Sequence, residues 1–141
     1  MNERYWVIVA SYDHVQKGKS EGFAQACHGK PGPLRRMRRG DGVIFYSSKM
    51  KFQQSELCQK FTALGTVRDD EVFQFKMSDN FVPFRRRIDF IDCDEVPIRP
   101  LIERLCFIKR KSHWGTAFRY GFIEIPREDF ELISTEMGAV A

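Results

Sequence analysis

Three clusters of cations, and a few aromatic or hydroxyl-bearing side chains at strand ends, are what this 141-residue chain offers for chemistry. Arg35-Arg36-Met37-Arg38-Arg39, Arg85-Arg86-Arg87 and Lys109-Arg110-Lys111 hold 10 of its 23 basic residues. Guanidinium forks match phosphate oxygens, so runs that converge in space would form a phosphate-binding surface. Taken singly they have plainer roles. Arg38 and Arg39 suit a helix C-terminus, and Arg85 and Arg87 suit the wet face of an alternating strand. Tyr46-Ser47-Ser48 and Ser11-Tyr12 each stand where an apolar strand ends, and Trp114 lies in a late loop. Two polar strand ends beside a Trp-bearing loop could line a pocket that stacks a flat ligand and hydrogen-bonds its edge. Trp6, inside a strand, reads as core.

Catalytic signatures are missing from the sequence: it has no phosphate loop, no dinucleotide glycine pattern, no G-x-S-x-G and no H-E-x-x-H. Cys27 and His28 are adjacent, which on a helix turns them about 100° apart. A buried thiol beside a surface histidine is the expectation there. Asp92 and Asp94 fall in a turn before Pro97, as solvated carboxylates. The four cysteines and three histidines have no metal-ligand spacing, so neither metal nor cofactor is expected. Without a C-x-x-C pair, the thiols read as reduced, mostly buried and cytosolic.

The elements that must position these residues follow from periodicity. Arg4–Ala10 and Gly42–Ser47 are apolar runs that read as strands buried on both faces. Phe61–Val67 and Val72–Lys76 read as a hairpin about Asp69-Asp70, and Phe84–Ile91 as a strand with Arg86 unusually on its apolar side. Gly121–Ile125 is a last strand. Helices are expected over Glu21–His28, closed by Gly29, over Pro33–Arg39, over 97–108, and from Pro126 to a stop at Gly138. Ser48–Lys60 and Lys109–Arg119 read as loops, the first bordering a site. Strands outnumber helices, which argues a small α+β single domain: a mixed β-barrel with peripheral helices.

Composition bounds the function. Hydrophobic residues make up 43% of the chain, enough for a core without staples, and no apolar run approaches a membrane span. Met1-Asn2-Glu3-Arg4 leads directly into the first strand, so no signal peptide is expected. The net charge of +4 is uneven: residues 1–68 hold 12 basic and 5 acidic side chains, residues 69–141 hold 11 and 14. A basic half favours an anionic partner such as nucleic acid.

An ordered set of segments extends this reading: Tyr5-Trp6-Val7-Ile8-Val9-Ala10-Ser11, His14-Val15, Gly22-Phe23-Ala24-Gln25 and His28-Gly29-Lys30. Pro33-Leu34-Arg35-Arg36-Met37, Gly40-Asp41, Ile44-Phe45-Tyr46-Ser47, Phe61-Thr62-Ala63-Leu64-Gly65, Pro83-Phe84-Arg85-Arg86 and Trp114-Gly115 follow. With these the chain resembles EVE domain proteins of the PUA-like superfamily, which includes YTH, ASCH and SRA domains. The resemblance implies a PUA-like pseudo-barrel spanning residues 1–141. It also implies a reader that accepts a modified base, notably modified cytosine in DNA, flipped out of its strand. By the same resemblance Ser11, Phe23, Gln25, Tyr46, Ser47, Ser48 and Trp114 would build the base pocket. Lys30, Arg35, Arg36 and Arg85 would hold flanking phosphates, and Arg86 could pair with a carboxylate inside the barrel. An RNA-binding module, or an ASCH-like hydrolase of modified nucleosides using Ser11 or Ser47, are the alternatives. A cytoplasmic monomer acting without catalysis is the expectation.

Overall fold

β-Branched and aromatic runs build the frame. Tyr5–Val9 (β1) and Gly42–Lys49 (β3) pair in parallel, with Trp6 opposite Val43 and Val9 opposite Tyr46. The remaining strands are Phe23–Ala24 (β2), Leu57–Gln74 (β4), Phe84–Phe90 (β5), Val96–Pro97 (β6) and Phe122–Ile125 (β7). The sheet order is β2-β5-β4-β3-β1-β7, with β6 beside β4, and among the described residues every pairing other than β1 with β3 is antiparallel. Helices Tyr12–Glu21 (α1), Pro31–Arg36 (α2) and Arg127–Glu136 (α3) surround this sheet. Three 3-10 segments join them: Cys27–Gly29, Arg99–Arg104 and Lys111–Phe118. The computed structural model describes residues 3–139. Met1 and Asn2 of the expected lead-in therefore lie outside the described residues.

Because β1 and β3 are buried on both faces, alternate side chains enter two different cores. Trp6, Ile8, Val43 and Phe45 join Leu34, Met37 and Ile88 on one face. Val7, Ile44 and Tyr46 join Phe61, Leu105 and Ile133 on the other. One residue of parity thus decides which core a side chain serves.

Several sequence expectations give way. The helix expected at Glu21–His28 lies upstream instead, because Gly22 takes φ 80° and its N–H closes α1 on the Gly18 carbonyl. Phe23 and Ala24 then enter the sheet beside Arg87 and Arg86, so their burial is met by a strand. The hairpin about Asp69-Asp70 is one continuous strand, since Val67 and Val72 both pair with β5, opposite Ile88 and Arg86. Asp69 and Asp70 form an irregularity within it. Residues 97–108 are not one helix: Leu105 leaves helical geometry at φ −94° and ψ 118°, although Ile98, Leu101, Ile102, Leu105 and Ile108 are all buried. The Lys109–Arg119 loop is largely 3-10. All four cysteines are free, with three half-buried and Cys106 exposed.

Two buried ions lock the connections. The Asp41 carboxylate accepts from Trp6 Nε1 at 2.9 Å, from the Arg38 backbone N–H at 2.9 Å and from that of Arg4 at 3.1 Å. Arg86, only 2% exposed, donates through Nη1 to the carbonyls of Leu34 (2.7 Å) and Met37 (2.6 Å), and through Nη2 to that of Asp69 (2.6 Å). The expected carboxylate pairing is peripheral, as Asp70 stands 3.8 Å away. Backbone carbonyls provide the cage, tying α2 and the β4 irregularity to β5. Arg86→Met strips three buried carbonyls of their donor at once. It is expected to cost about 3–5 kcal/mol, read as a lowered urea midpoint, without rescue by Arg86→Lys, whose ammonium cannot span the cage.

Candidate functional site

Where β1 and β3 end, Ser11 opens α1, and the chain leaves the sheet around a cavity of about 760 Å³. That volume falls in the roughly 300–1,000 Å³ range of small-ligand sites. Phe23, Phe45 and Phe118 give it apolar walls, and Ser11, Gln25 and Ser48 bring polar groups to it. Five cations line it: Lys17, Lys49, Lys51, Arg85 and Arg119. Among the described residues no carboxylate does. At the mouth His14 stacks on Phe52 with ring centres 5.4 Å apart, and His28 meets the same ring edge-on at 5.9 Å. Phe52, Phe81 and Tyr120 are exposed, at 44%, 40% and 78%, so the cavity is lined by exposed aromatics together with cations.

One wall is built from strained backbone. Cys27, His28 and Gly29 take φ of 50°, 62° and 82° in succession. Two non-glycine residues in the left-handed region cost on the order of 1 kcal/mol each, and tertiary contacts must hold them. Cys27 Sγ lies 3.3 Å from the Tyr120 carbonyl, and the Gly29 N–H donates to Ala26. A side chain at Gly29 would collide with Pro83. The run turns His28 toward Phe52 and sets the cysteine against the neighbouring loop. Burial pushes the Cys27 thiol up, with the Lys30 charge opposing, so it rests as a thiol.

Arg85 is the unusual lining residue. It is 3% exposed, and its guanidinium carbon lies 3.7 Å from the centre of the Phe23 ring and 4.1 Å from that of Phe75. Nε donates to Gln25 Oε1 at 2.7 Å, while Nη2 is buried with no hydrogen-bond partner. Burial pulls its pKa down, and Glu21 pushes back only at a distance.

Of the residues expected at a base pocket, Ser11, Phe23, Gln25 and Ser48 meet at this cavity, and the expected phosphate ligand Arg85 joins them. Tyr46, Ser47 and Trp114 do not. Parity sends Tyr46 to the opposite core, where its ring stacks on Phe118 at 4.2 Å and so backs the cavity wall without reaching the cavity. Ser47 is wholly buried and shares a 2.7 Å hydrogen bond with Thr62. Trp114 packs on that same opposite core with Arg99 5.5 Å over its ring, and the late loop reaches the cavity through residues 118–121 instead.

The basic runs also disperse. Arg35 lies over Phe84 at 5.6 Å, and Arg36 over Trp6 at 5.1 Å and Phe122 at 5.5 Å, so both cover aromatic edges of the core while remaining exposed. Arg87 pairs with Asp69 and Glu71, and Lys111 donates to the carbonyls of Ile102 and Leu105. Lys30 is exposed beside the Cys27 turn. Apart from Arg85, the cations that reach the cavity lie outside these runs. Three of them, in Lys49-Met50-Lys51-Phe52 and Phe118-Arg119-Tyr120, are marked by interleaving with aromatics, a signal that run length does not capture.

Comparison with known proteins settles the family, since residues 4–136 match the EVE domain. The chain belongs to the EVE domain family. It is 50% identical over 127 residues to the "UPF0310 protein in gntR 5'region" of Bacillus licheniformis, covering 90% of this chain and 86% of that one. It is 39% identical over 138 residues to the UPF0310 protein YdcG of Bacillus subtilis, covering 98% and 94%. Among solved structures, a Mmi1 YTH domain in complex with RNA superposes with a TM-score of 0.62 at 13% identity, covering 97% of this chain and 79% of that one. Protein Atu2648 from Agrobacterium tumefaciens gives 0.58 at 14%, covering 96% and 94%. At such identities the likeness is one of fold, and the EVE domain here has the PUA-like architecture.

Placement in the core has a measurable consequence at Tyr46. Burial pushes its phenol up from 10.0 to about 12, with nearby Cys58 adding to the rise and Ser48 and Arg99 opposing it. The unfolded chain ionises first, so the stabilisation is intact below pH 10.0 and is lost as pH rises toward about 12. Urea midpoints of the wild type should therefore fall more steeply than those of Tyr46→Phe over this window. A matching slope in both proteins would contradict the burial of this phenol.

Proposed function

We propose that this EVE domain is a binding module that takes a nucleobase, flipped from its strand, into the cavity at the ends of β1 and β3. The observation that carries the reading is a cavity with phenylalanine walls, an aromatic mouth and five lining cations without a carboxylate among the described residues. A flat, apolar-faced group attached to a polyanion matches such a surface in both shape and charge. Phe23, Phe45 and Phe118 suit the faces of a base, Ser11, Gln25 and Ser48 suit its edge, and Lys17, Lys49, Lys51 and Arg119 suit flanking phosphates. Lys30, Arg35 and Arg36 extend the positive surface away from the opening. The fold likeness to a YTH domain solved with RNA agrees with a nucleic-acid partner. Within this reading, modified cytosine in DNA is the ligand proposed, and an RNA base is the second reading, favoured by that same neighbour.

Binding is favoured over hydrolysis by the serines. Ser47 is sealed in the core against Thr62. At the cavity, Ser11 Oγ donates to Asp13 Oδ1 at 2.6 Å, an arrangement resembling a nucleophile beside a base. Burial raises the Asp13 pKa, but the bonds from Ser11 and the His14 N–H and the His14 charge outweigh it, leaving the carboxyl below its ordinary value. A carboxylate so stabilised is a poor proton acceptor at neutral pH.

Fluorescence anisotropy with labelled single strands, carrying or lacking a modified cytosine and made as DNA or RNA, tests the proposal. Binding is expected to weaken with salt, and replacing Lys49, Lys51 and Arg119 together by alanine should flatten the log–log salt slope by about 2–3. Phe52→Ala should weaken binding by about 1–3 kcal/mol through lost stacking, whereas Trp114→Ala should leave it unchanged. Equal loss from Phe52→Ala and Trp114→Ala would place the interface elsewhere.

A further inference from the structure

The unpaired guanidinium of Arg85 bears on which base fits. A buried arginine ordinarily meets a carboxylate, or backbone carbonyls as the adjacent Arg86 does. Arg85 has neither. Among the described residues its one hydrogen bond goes to a neutral amide, Nη2 is left without an acceptor, and no carboxylate lines the site. Arginine has donors only, so the Gln25 amide must turn its oxygen to Nε, leaving its own NH2 as the free end. Gln25 and Arg85 therefore form a donor-only pair on the cavity wall. The Phe23 and Phe75 rings pack on the guanidinium, their centres 3.7 and 4.1 Å from its carbon, which restricts its movement.

We infer that Arg85, oriented by Gln25, is a specificity-determining residue that selects a base presenting acceptors to this pair, with an anionic oxygen substituent favoured most. This rests on the base-pocket reading above and narrows its ligand class. A methyl mark supplies no acceptor and leaves the cation desolvated and unpaired. A carboxyl mark supplies two oxygens and a charge, and charge-assisted hydrogen bonds are about twice as strong as neutral ones. Guanine, through O6 and N7, offers two neutral acceptors.

The experiment compares single-stranded oligonucleotides that differ at one position: 5-carboxylcytosine, guanine, 5-methylcytosine or cytosine. The wild type is expected to bind the carboxyl-bearing strand about ten-fold or more tighter than the methyl-bearing one. Guanine should fall between them. Arg85→Met removes the selection but also the packing between two rings. Gln25→Glu avoids that loss by giving Arg85 an internal counter-ion, which should raise the thermal midpoint while collapsing the ratio to about two-fold or less. Equal wild-type affinity for carboxyl- and methyl-bearing strands overturns the inference and leaves the base-pocket reading intact. So does a preference that Gln25→Glu preserves. A thermal shift with free 5-carboxylcytidine monophosphate separates the two claims. A shift that Gln25→Glu abolishes, without binding to any strand, would retain the role of Arg85 and overturn the nucleic-acid reading. Neither a shift nor strand binding would overturn both.

Discussion

A central sheet buried on both faces is the constraint from which the rest of the molecule follows. β1 and β3 have no wet side, so each successive residue must fit one of two separate cores. Phe45 goes to the face that opens into the cavity, and Tyr46 goes to the other, one residue apart. The parallel pairing of these two strands brings both C-terminal ends to the same place, where the chain departs into α1 and the segment after β3. Ser11 and Ser48 meet for that reason. Brought together by register rather than by proximity in sequence, the polar strand ends become parts of one site.

Charge in this protein is sorted by what each cation can reach. Three consecutive arginines on β5 meet three fates. Arg85 lies between two rings at the cavity, Arg86 fills a cage of carbonyls, and Arg87 pairs with carboxylates at the surface. Strand alternation accounts for the separation of Arg86 from its neighbours, but not for the difference between Arg85 and Arg87. That difference follows from what lies opposite: Gln25 and aromatic rings in one case, Asp69 and Glu71 in the other. Burying a cation without a counter-ion is unfavourable, so the fold spends stability at Arg85 that it recovers around Arg86 and Asp41. The left-handed turn at Cys27–Gly29 belongs with Arg85, since both place strain at the cavity and nowhere near the sheet's centre.

Much of the frame was legible. The apolar runs at 5–9 and 42–47, the strand at 84–90 and the helix opening after Pro126 follow directly from periodicity and capping chemistry. The α1 helix was not, because its ten residues carry a weak apolar stripe and only Val15 and Gly18 are buried. The following Phe23, Ala26 and Cys27 have helical spacing by coincidence. Only pairing with β5 shows Phe23 to be a strand residue. Asp69-Asp70 resembles a turn because such residues tolerate bends, yet Arg86 holds the Asp69 carbonyl and the strand runs on.

The sequence by itself determined the α+β class, the mild excess of positive charge, the lack of recognisable catalytic motifs and the family resemblance, all of which depend on composition and on order along the chain. It also identified Ser11, Phe23, Gln25, Ser48 and Arg85 as residues of interest. Only the tertiary structure decided that these five share a cavity, that Tyr46 stands behind Phe118, that Trp114 faces the opposite core, and that Lys17, Lys49, Lys51 and Arg119 replace the long basic runs at the opening. The reason is physical: which side of a doubly buried sheet a residue takes, and which distant segment lies across from it, are set by strand register and long-range packing, and neither leaves a local mark in the sequence.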